Sequence, residues 1–292
     1  MKKSNYILFL VGSLITGFAL CHSAKADTIS IRSDTWCPYA CDGGSVLPGY
    51  MVEAARAIFA KHGHRVDFKT SPWIDAIKDT RSNKVTALIG CSRADAPDFI
   101  FPGRPLGQMI NHYFVKKNSS WSYNGRQSLE GKRIGVIANY TYGDAVDNLV
   151  KTKHKSLVIF SGVDPLGQML KKMDEGGLDA FVESPTVLSF HLGKRKMELD
   201  KFKAVSPNLA NDPDLYIAFS PNNPKSAYYA EIISKGIDDL RRSGELQRIL
   251  DRYNLTDWIK LQVVAALGID DFSTDGFHGQ FDLLNVVPAS RL

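Results

Sequence analysis

Cys37-Pro38-Tyr39-Ala40-Cys41 sets two thiols close enough in the chain to close a small loop as a disulfide. Disulfide oxidoreductases separate their cysteines by two residues, not three, so redox catalysis fits this pair poorly. Cys91 makes the count odd beyond the N-terminal segment and is expected as a buried thiol. Three cysteines do not complete a zinc site, and His62-Gly63-His64 lacks metal-ligand spacing, so no metal and no cofactor is expected. Asp34, Asp95 and Glu183 could do acid–base work. No Gly-x-Ser-x-Gly elbow, His-Glu-x-x-His pair or phosphate loop accompanies them, so the residues favour binding over catalysis.

The elements that must position these groups alternate between strand and helix. Residues 28–32 alternate as a strand, and 50–62 place Met51, Ala54, Ala55, Ile58 and Phe59 at helical spacing. Residues 65–69 form a second strand. A helix through Ser82 starts with Ser71 as cap and Pro72 in its first turn, and 86–90 form a buried strand. This βαβαβ order predicts a parallel sheet. Residues 107–117 are one long strand-like run. A second series follows, with strands at 133–138, 157–160 and 180–183 and helices at 142–150, 164–174 and 185–192. After a strand at 202–205 and a loop come a strand at 215–220 and helices at 225–242 and 245–253, split at Ser243-Gly244. The two series predict two similar α/β lobes.

The chain has 292 residues, 44% hydrophobic and 23% charged, which excludes a disordered chain or a collagen-like fibre. Its formal charge is +5, but Lys2, Lys3 and Lys25 lie in the first 26 residues, which hold no acids. The remainder is nearly balanced, which argues against a nucleic-acid surface. Lys2-Lys3, the apolar run 6–20 and Ala24-Lys25-Ala26 have the layout of a signal peptide over 1–26, with Asp27 as the mature start. Export to an oxidising compartment, the periplasm, is consistent with a Cys37–Cys41 disulfide.

The chain resembles the family 3 extracellular solute-binding proteins that serve amino-acid-type ABC importers. The resemblance rests on Pro48-Gly49-Tyr50, Pro72-Trp73 and Phe101-Pro102, then on Ser128-Leu129-Glu130-Gly131-Lys132-Arg133-Ile134-Gly135-Val136 and Gly177-Leu178-Asp179-Ala180. Arg242-Ser243-Gly244-Glu245-Leu246 and Ile249-Leu250-Asp251-Arg252-Tyr253 complete it. It implies a periplasmic-binding-protein fold of two α/β lobes, each a mostly parallel sheet flanked by helices, joined by two hinge segments. Lobe 1 would comprise 27–115 plus 215–260, and lobe 2 would comprise 116–214. Residues 261–292 would be a tail of unassigned role. Hinges would lie at 115–118 and 211–215. A monomer would capture a small polar, amino-acid-like or amine solute and hand it to an ABC permease. The same fold also supports a cyclohexadienyl-dehydratase-like enzyme and ligand-loading partners of sensors.

The resemblance places the ligand in the interlobe cleft and draws its contacts from Asp34, Trp36, Trp73, Ser92, Arg93, Thr141, Tyr142 and Glu183. Two departures qualify it. The family's carboxylate-clamping Arg falls on Asp95, with Arg93 two residues away. The family's ammonium-binding Asp falls on Ser184, with Glu183 one before. Thr141, in the turn Asn139-Tyr140-Thr141-Tyr142-Gly143, is expected to hold an anionic or hydrogen-bonding end of the ligand.

Overall fold

A computed structural model describes residues 26–194 and 199–259. Residues 1–25 of the expected signal peptide and the 261–292 tail lie outside the described residues. The first sheet contains β1 (Thr28–Ser33), β2 (Arg65–Thr70), β3 (Ala87–Cys91), β4 (Gly107–Gln108) and β10 (Asp214–Phe219), in the order β2-β1-β3-β10-β4. The second contains β5 (His112–Lys116), β6 (Ile134–Ile137), β7 (Leu157–Phe160), β8 (Ala180–Glu183) and β9 (Phe202–Ala204), in the order β7-β6-β8-β5-β9. Helices α1 (Tyr50–Lys61), α2 (Trp73–Arg81), α3 (Asp144–Lys151), α4 (Pro165–Asp174), α5 (Pro185–Lys194), α6 (Ser226–Arg242) and α7 (Glu245–Asp251) join and flank them. Among the described residues, no helix is long and apolar enough to cross a membrane.

Both sheets are mixed. β1 pairs in parallel with β2 and β3, and β6 does so with β7 and β8. β10 runs antiparallel to β3, and β5 runs antiparallel to β8 and β9. In each sheet the antiparallel strand is one that enters from the other half of the molecule.

The apolar patterns explain the layers. Met51, Ala54, Ala55, Ile58 and Phe59 of α1 are all at most 1% exposed and join a core with Ile29, Ile31, Ile217 and Ile233. Each fully buried Ile or Phe of this kind contributes roughly 1.5–3 kcal/mol relative to exposure. Residues Ala87–Cys91 are buried along their whole length, as expected of a strand covered on both faces. α4 starts as its sequence requires, with Asp164 accepting from the Gly167 N–H at 3.1 Å and Pro165 in the first turn.

Three expectations change. Ser71 does not cap α2: Pro72 occupies the cap position with no side-chain bond, and the Ser71 hydroxyl is buried without a partner among the described residues. The run 107–117 is not one strand, because β4 pairs with β10 and β5 pairs with β8 and β9. The division at 115/116 therefore cuts through a strand whose ladder partners both lie in the second sheet. The chain crosses between β4 and β5, over 109–111, and returns between β9 and β10. There Met109 N–H donates to the Pro213 carbonyl at 2.7 Å, and Leu209 N–H donates to the Asn111 carbonyl at 2.9 Å. The 115–118 hinge is corrected accordingly: that stretch ends β5 and is tied to the second sheet by Lys117 N–H donating to Lys201.

Candidate functional site

Between the sheets lies a cleft of about 360 Å³, counting space open to solvent. Asp34, Trp36, Trp73, Gly90, Asp95, Met109, Tyr140, Thr141 and Leu215 line it. Asp34 and Trp36 follow β1, Asp95 follows β3, and Tyr140 and Thr141 follow β6, so the cleft sits at the carboxyl ends of parallel strands. Trp73 is the first residue of α2 and packs partly on Ala76, Leu88, Cys91 and Phe99.

The loop after β1 is organised around Trp36. Trp36 and Ala40 form an antiparallel bridge, with N–H···O distances of 2.7 and 2.9 Å. The Cys37–Cys41 disulfide, with Cα atoms 4.8 Å apart, closes the same loop. Tyr39 stacks on Trp36 at 4.3 Å between ring centroids, and its hydroxyl donates to the Gln108 carbonyl at 2.9 Å. Trp36 is thus held in the wall at 9% exposure, and its indole Nε1–H has no acceptor among the described residues. Cys91 is a free, buried cysteine whose thiol is pushed well above its usual range by burial. Beside Trp36, Gly90 lies on the cleft surface with a φ of +84°, so a glycine there needs no strain and adds no side chain to the cavity.

Two hydrogen bonds span the cleft from sheet to sheet. The Tyr140 hydroxyl donates to Asp34 Oδ2 at 2.7 Å, and the Thr141 hydroxyl donates to Asp95 Oδ1 at 2.7 Å. Asp95 Oδ2 accepts from the Ser92 N–H and the Ser92 hydroxyl, both at 2.8 Å. Burial pushes the Asp34 carboxyl above the ordinary carboxylate range; the Tyr140 bond opposes the rise and the Asp95 charge adds to it.

The turn 138–143 has a second carboxylate behind it. Asp147, one turn into α3, accepts from the Tyr142 N–H at 2.9 Å and the Gly143 N–H at 3.1 Å. Gly143 is the N-cap of α3, so Asp147 satisfies donors at the helix start from within the same segment, while the Asp144 N–H goes to Asn211 Oδ1 at 2.8 Å. Gly143 has a φ of +120°, and a Cβ there would lie 1.8 Å from the Leu209 carbonyl oxygen of the returning crossover. Only glycine lets the turn rest on that segment.

Asp34, Trp36, Trp73 and Thr141 therefore face the cleft together. The other four expected contacts lie elsewhere. Ser92 reaches the cleft only through Asp95. Arg93 is exposed and lies over the rings of Phe101 and Tyr216, at 4.9 and 4.7 Å from their centroids, while donating to the Pro102 carbonyl at 3.4 Å. Tyr142 turns into the second core, 2% exposed, where its hydroxyl accepts from the Ile137 N–H at 2.6 Å. Glu183 is 3% exposed and accepts from the Ser184 N–H at 2.7 Å; burial drives its carboxyl up to about 8. Across the β5–β8 ladder its partner His112 has a lowered pKa from burial and donates Nδ1–H to the Ser206 carbonyl at 2.8 Å. The expected contacts omitted Tyr140 and Asp95. Tyr140 stands in the Asn139–Gly143 turn and Asp95 at the clamp position, so both positions were marked in the sequence.

A family model, the bacterial extracellular solute-binding proteins of family 3, matches residues 30–256. The chain belongs to this family. A probable amino-acid-binding protein of Bacillus subtilis, YxeM, is 23% identical over 270 residues, covering 87% of this chain and 96% of that one. Among solved structures, an ancestral arginine-binding protein bound to arginine superposes with a TM-score of 0.61 at 20% identity, covering 78% of this chain and 98% of its own. A histidine kinase sensor domain with similarity to periplasmic binding proteins reaches 0.63 at 22% identity, covering 78% and 96%. These likenesses show the two-lobed binding-protein fold. Within that fold this family 3 chain carries Asp95 where the resemblance calls for an Arg, and the nearby Arg93 is engaged by aromatic rings.

Proposed function

We propose that this chain is a solute-binding protein that captures a small polar, amino-acid-like or amine solute in the cleft. One lobe would be built on the first sheet and one on the second, closing about the crossovers at 109–111 and 205–213. The observation that carries this reading is the pair of cross-cleft hydrogen bonds, Tyr140–Asp34 and Thr141–Asp95, in a cavity that Trp36 and Trp73 also line. The cavity walls come from both sheets, so a solute bound there would stabilise the closed arrangement of the lobes.

The protein would act as a monomer in the periplasm, after removal of residues 1–26, and deliver its solute to an ABC permease. Asp27 is consistent with that mature start. Its carboxylate accepts from Lys225 Nζ and the Tyr229 hydroxyl, bonds that a chain cut after Ala26 keeps. The family consists mostly of binding proteins, and we assign no turnover to this cleft.

The test is a melting screen of the purified protein with amino acids, amines, organic acids and sugars. A ligand at a hundredfold excess over its Kd stabilises by about 2.7 kcal/mol, which raises Tm by several degrees. A solute that shifts Tm and is recovered chemically unchanged supports the reading. A flat Tm across all four classes contradicts it, and conversion of the solute would favour an enzyme.

A further inference from the structure

The hydroxyl donors at the cleft are spent. The Tyr140 hydroxyl is committed to Asp34, and the Thr141 and Ser92 hydroxyls are committed to Asp95. The N–H groups of Tyr142 and Gly143, just before α3, are closed off by Asp147. Trp36 Nε1–H is buried, without an acceptor among the described residues. Among the described residues that line the cleft, none is Lys, Arg or His, whereas two are Asp. Arg93 is held on the outside by Phe101, Tyr216 and the Pro102 carbonyl. A carboxylate entering this cleft would meet two carboxylates and no lining cation, an arrangement that costs desolvation with no opposite charge to offset it.

A cation meets the opposite situation. Asp34 and Asp95 each keep lone pairs beyond the bonds they accept from Tyr140, Thr141 and Ser92. Trp36, with Tyr39 stacked on one of its faces, lines the same cavity as Trp73 and Tyr140, and aromatic rings attract an ammonium or guanidinium group. The nearby carboxylates act on one another as like charges, Asp95 raising both Asp34 and Asp147, so a bound cation would relieve that repulsion.

We propose that the cleft takes a small organic cation that carries no carboxylate, an amine or guanidinium seated between Asp34 and Asp95 against the rings of Trp36, Trp73 and Tyr140. This rests on the solute-binding reading above and narrows its ligand class. The deciding residues are Asp95, at the position where the resemblance calls for an Arg, and Asp147, which fills the turn where an anionic end would sit.

The test is calorimetric titration of the purified protein with two matched pairs, agmatine against arginine and cadaverine against lysine. The members of each pair differ only in the carboxylate. In at least one pair the decarboxylated member is expected to bind about tenfold more tightly or better, and Asp95→Asn, with an unchanged Tm, to weaken it about tenfold. Equal or tighter binding of the amino acids overturns the inference and leaves the solute-binding reading standing. So does silence from all four probes when the melting screen finds an anionic or neutral solute. A screen in which no solute of any class shifts Tm overturns both.

Discussion

Glu183 shows how one residue can be chemically unusual without lining the site. Its carboxyl is buried where the rings of Tyr39, Tyr140 and Tyr142 all feel its charge, with no cation among the groups acting on it. Its pKa rises from 4.5 to about 8 because burial disfavours the ionised form. The unfolded chain releases this proton near 4.5 and the folded chain only near 8, so stability falls as pH rises between those values and levels off above them. Urea unfolding should show a loss on the order of a few kcal/mol across that window, and Glu183→Gln should flatten it. A wild-type curve as flat as the variant's would mean the carboxyl is ionised in place. Arg93 makes the complementary point. Arg93→Ala should cost roughly 0.5–1 kcal/mol through its lost ring contacts while leaving solute affinity within about twofold. A large loss of affinity at constant stability would return it to the cleft. From sequence, Arg93 stood two positions from a clamp and read as its substitute; Phe101 and Tyr216, which capture it, come from distant parts of the chain. Asp34, Trp36, Trp73 and Thr141 were legible because each follows a strand or opens a helix, positions that local pattern fixes.

At the scale of elements, the turn from β6 into α3 depends on Asp147 and Gly143 together. Gly143→Ala should destabilise by at least about 2 kcal/mol, since the new Cβ meets the Leu209 carbonyl in a left-handed backbone region. Equilibrium unfolding would detect this, and a neutral effect would show that the crossover yields. The loop after β1 is tested by thiol counting. Unfolded, unreduced protein without residues 1–26, and so without Cys21, should expose one thiol, Cys91, whereas three would rule out the Cys37–Cys41 bond. Helices α1, α4 and α6 were readable from their apolar spacing and breakers. The partition of 107–117 was not. His112–Lys116 is apolar enough for either sheet, and what assigns it to the second is pairing with Val182 and Lys203, remote positions that no local period reveals. For the same reason the crossover was placed too late, at 115–118.

At the scale of the whole molecule, two mixed sheets each receive an antiparallel strand from the other half, and their strand ends meet at one cavity. Fold and family follow from the order of elements, which the sequence carries clearly. The chemistry of the cleft follows from hydrogen bonds between loops far apart in the chain, so it needed the structure. The central claim is that a solute binds between the sheets, and side chains on opposite walls test it most directly. Calorimetry should be run on the wild type, Trp73→Ala and Thr141→Ala, using the solute that most raises Tm. Each variant is expected to bind about 1–3 kcal/mol more weakly, the usual cost of removing a buried partner, while keeping its fold. Wild-type affinity in both variants would contradict the account, because the solute would then bind outside this cleft.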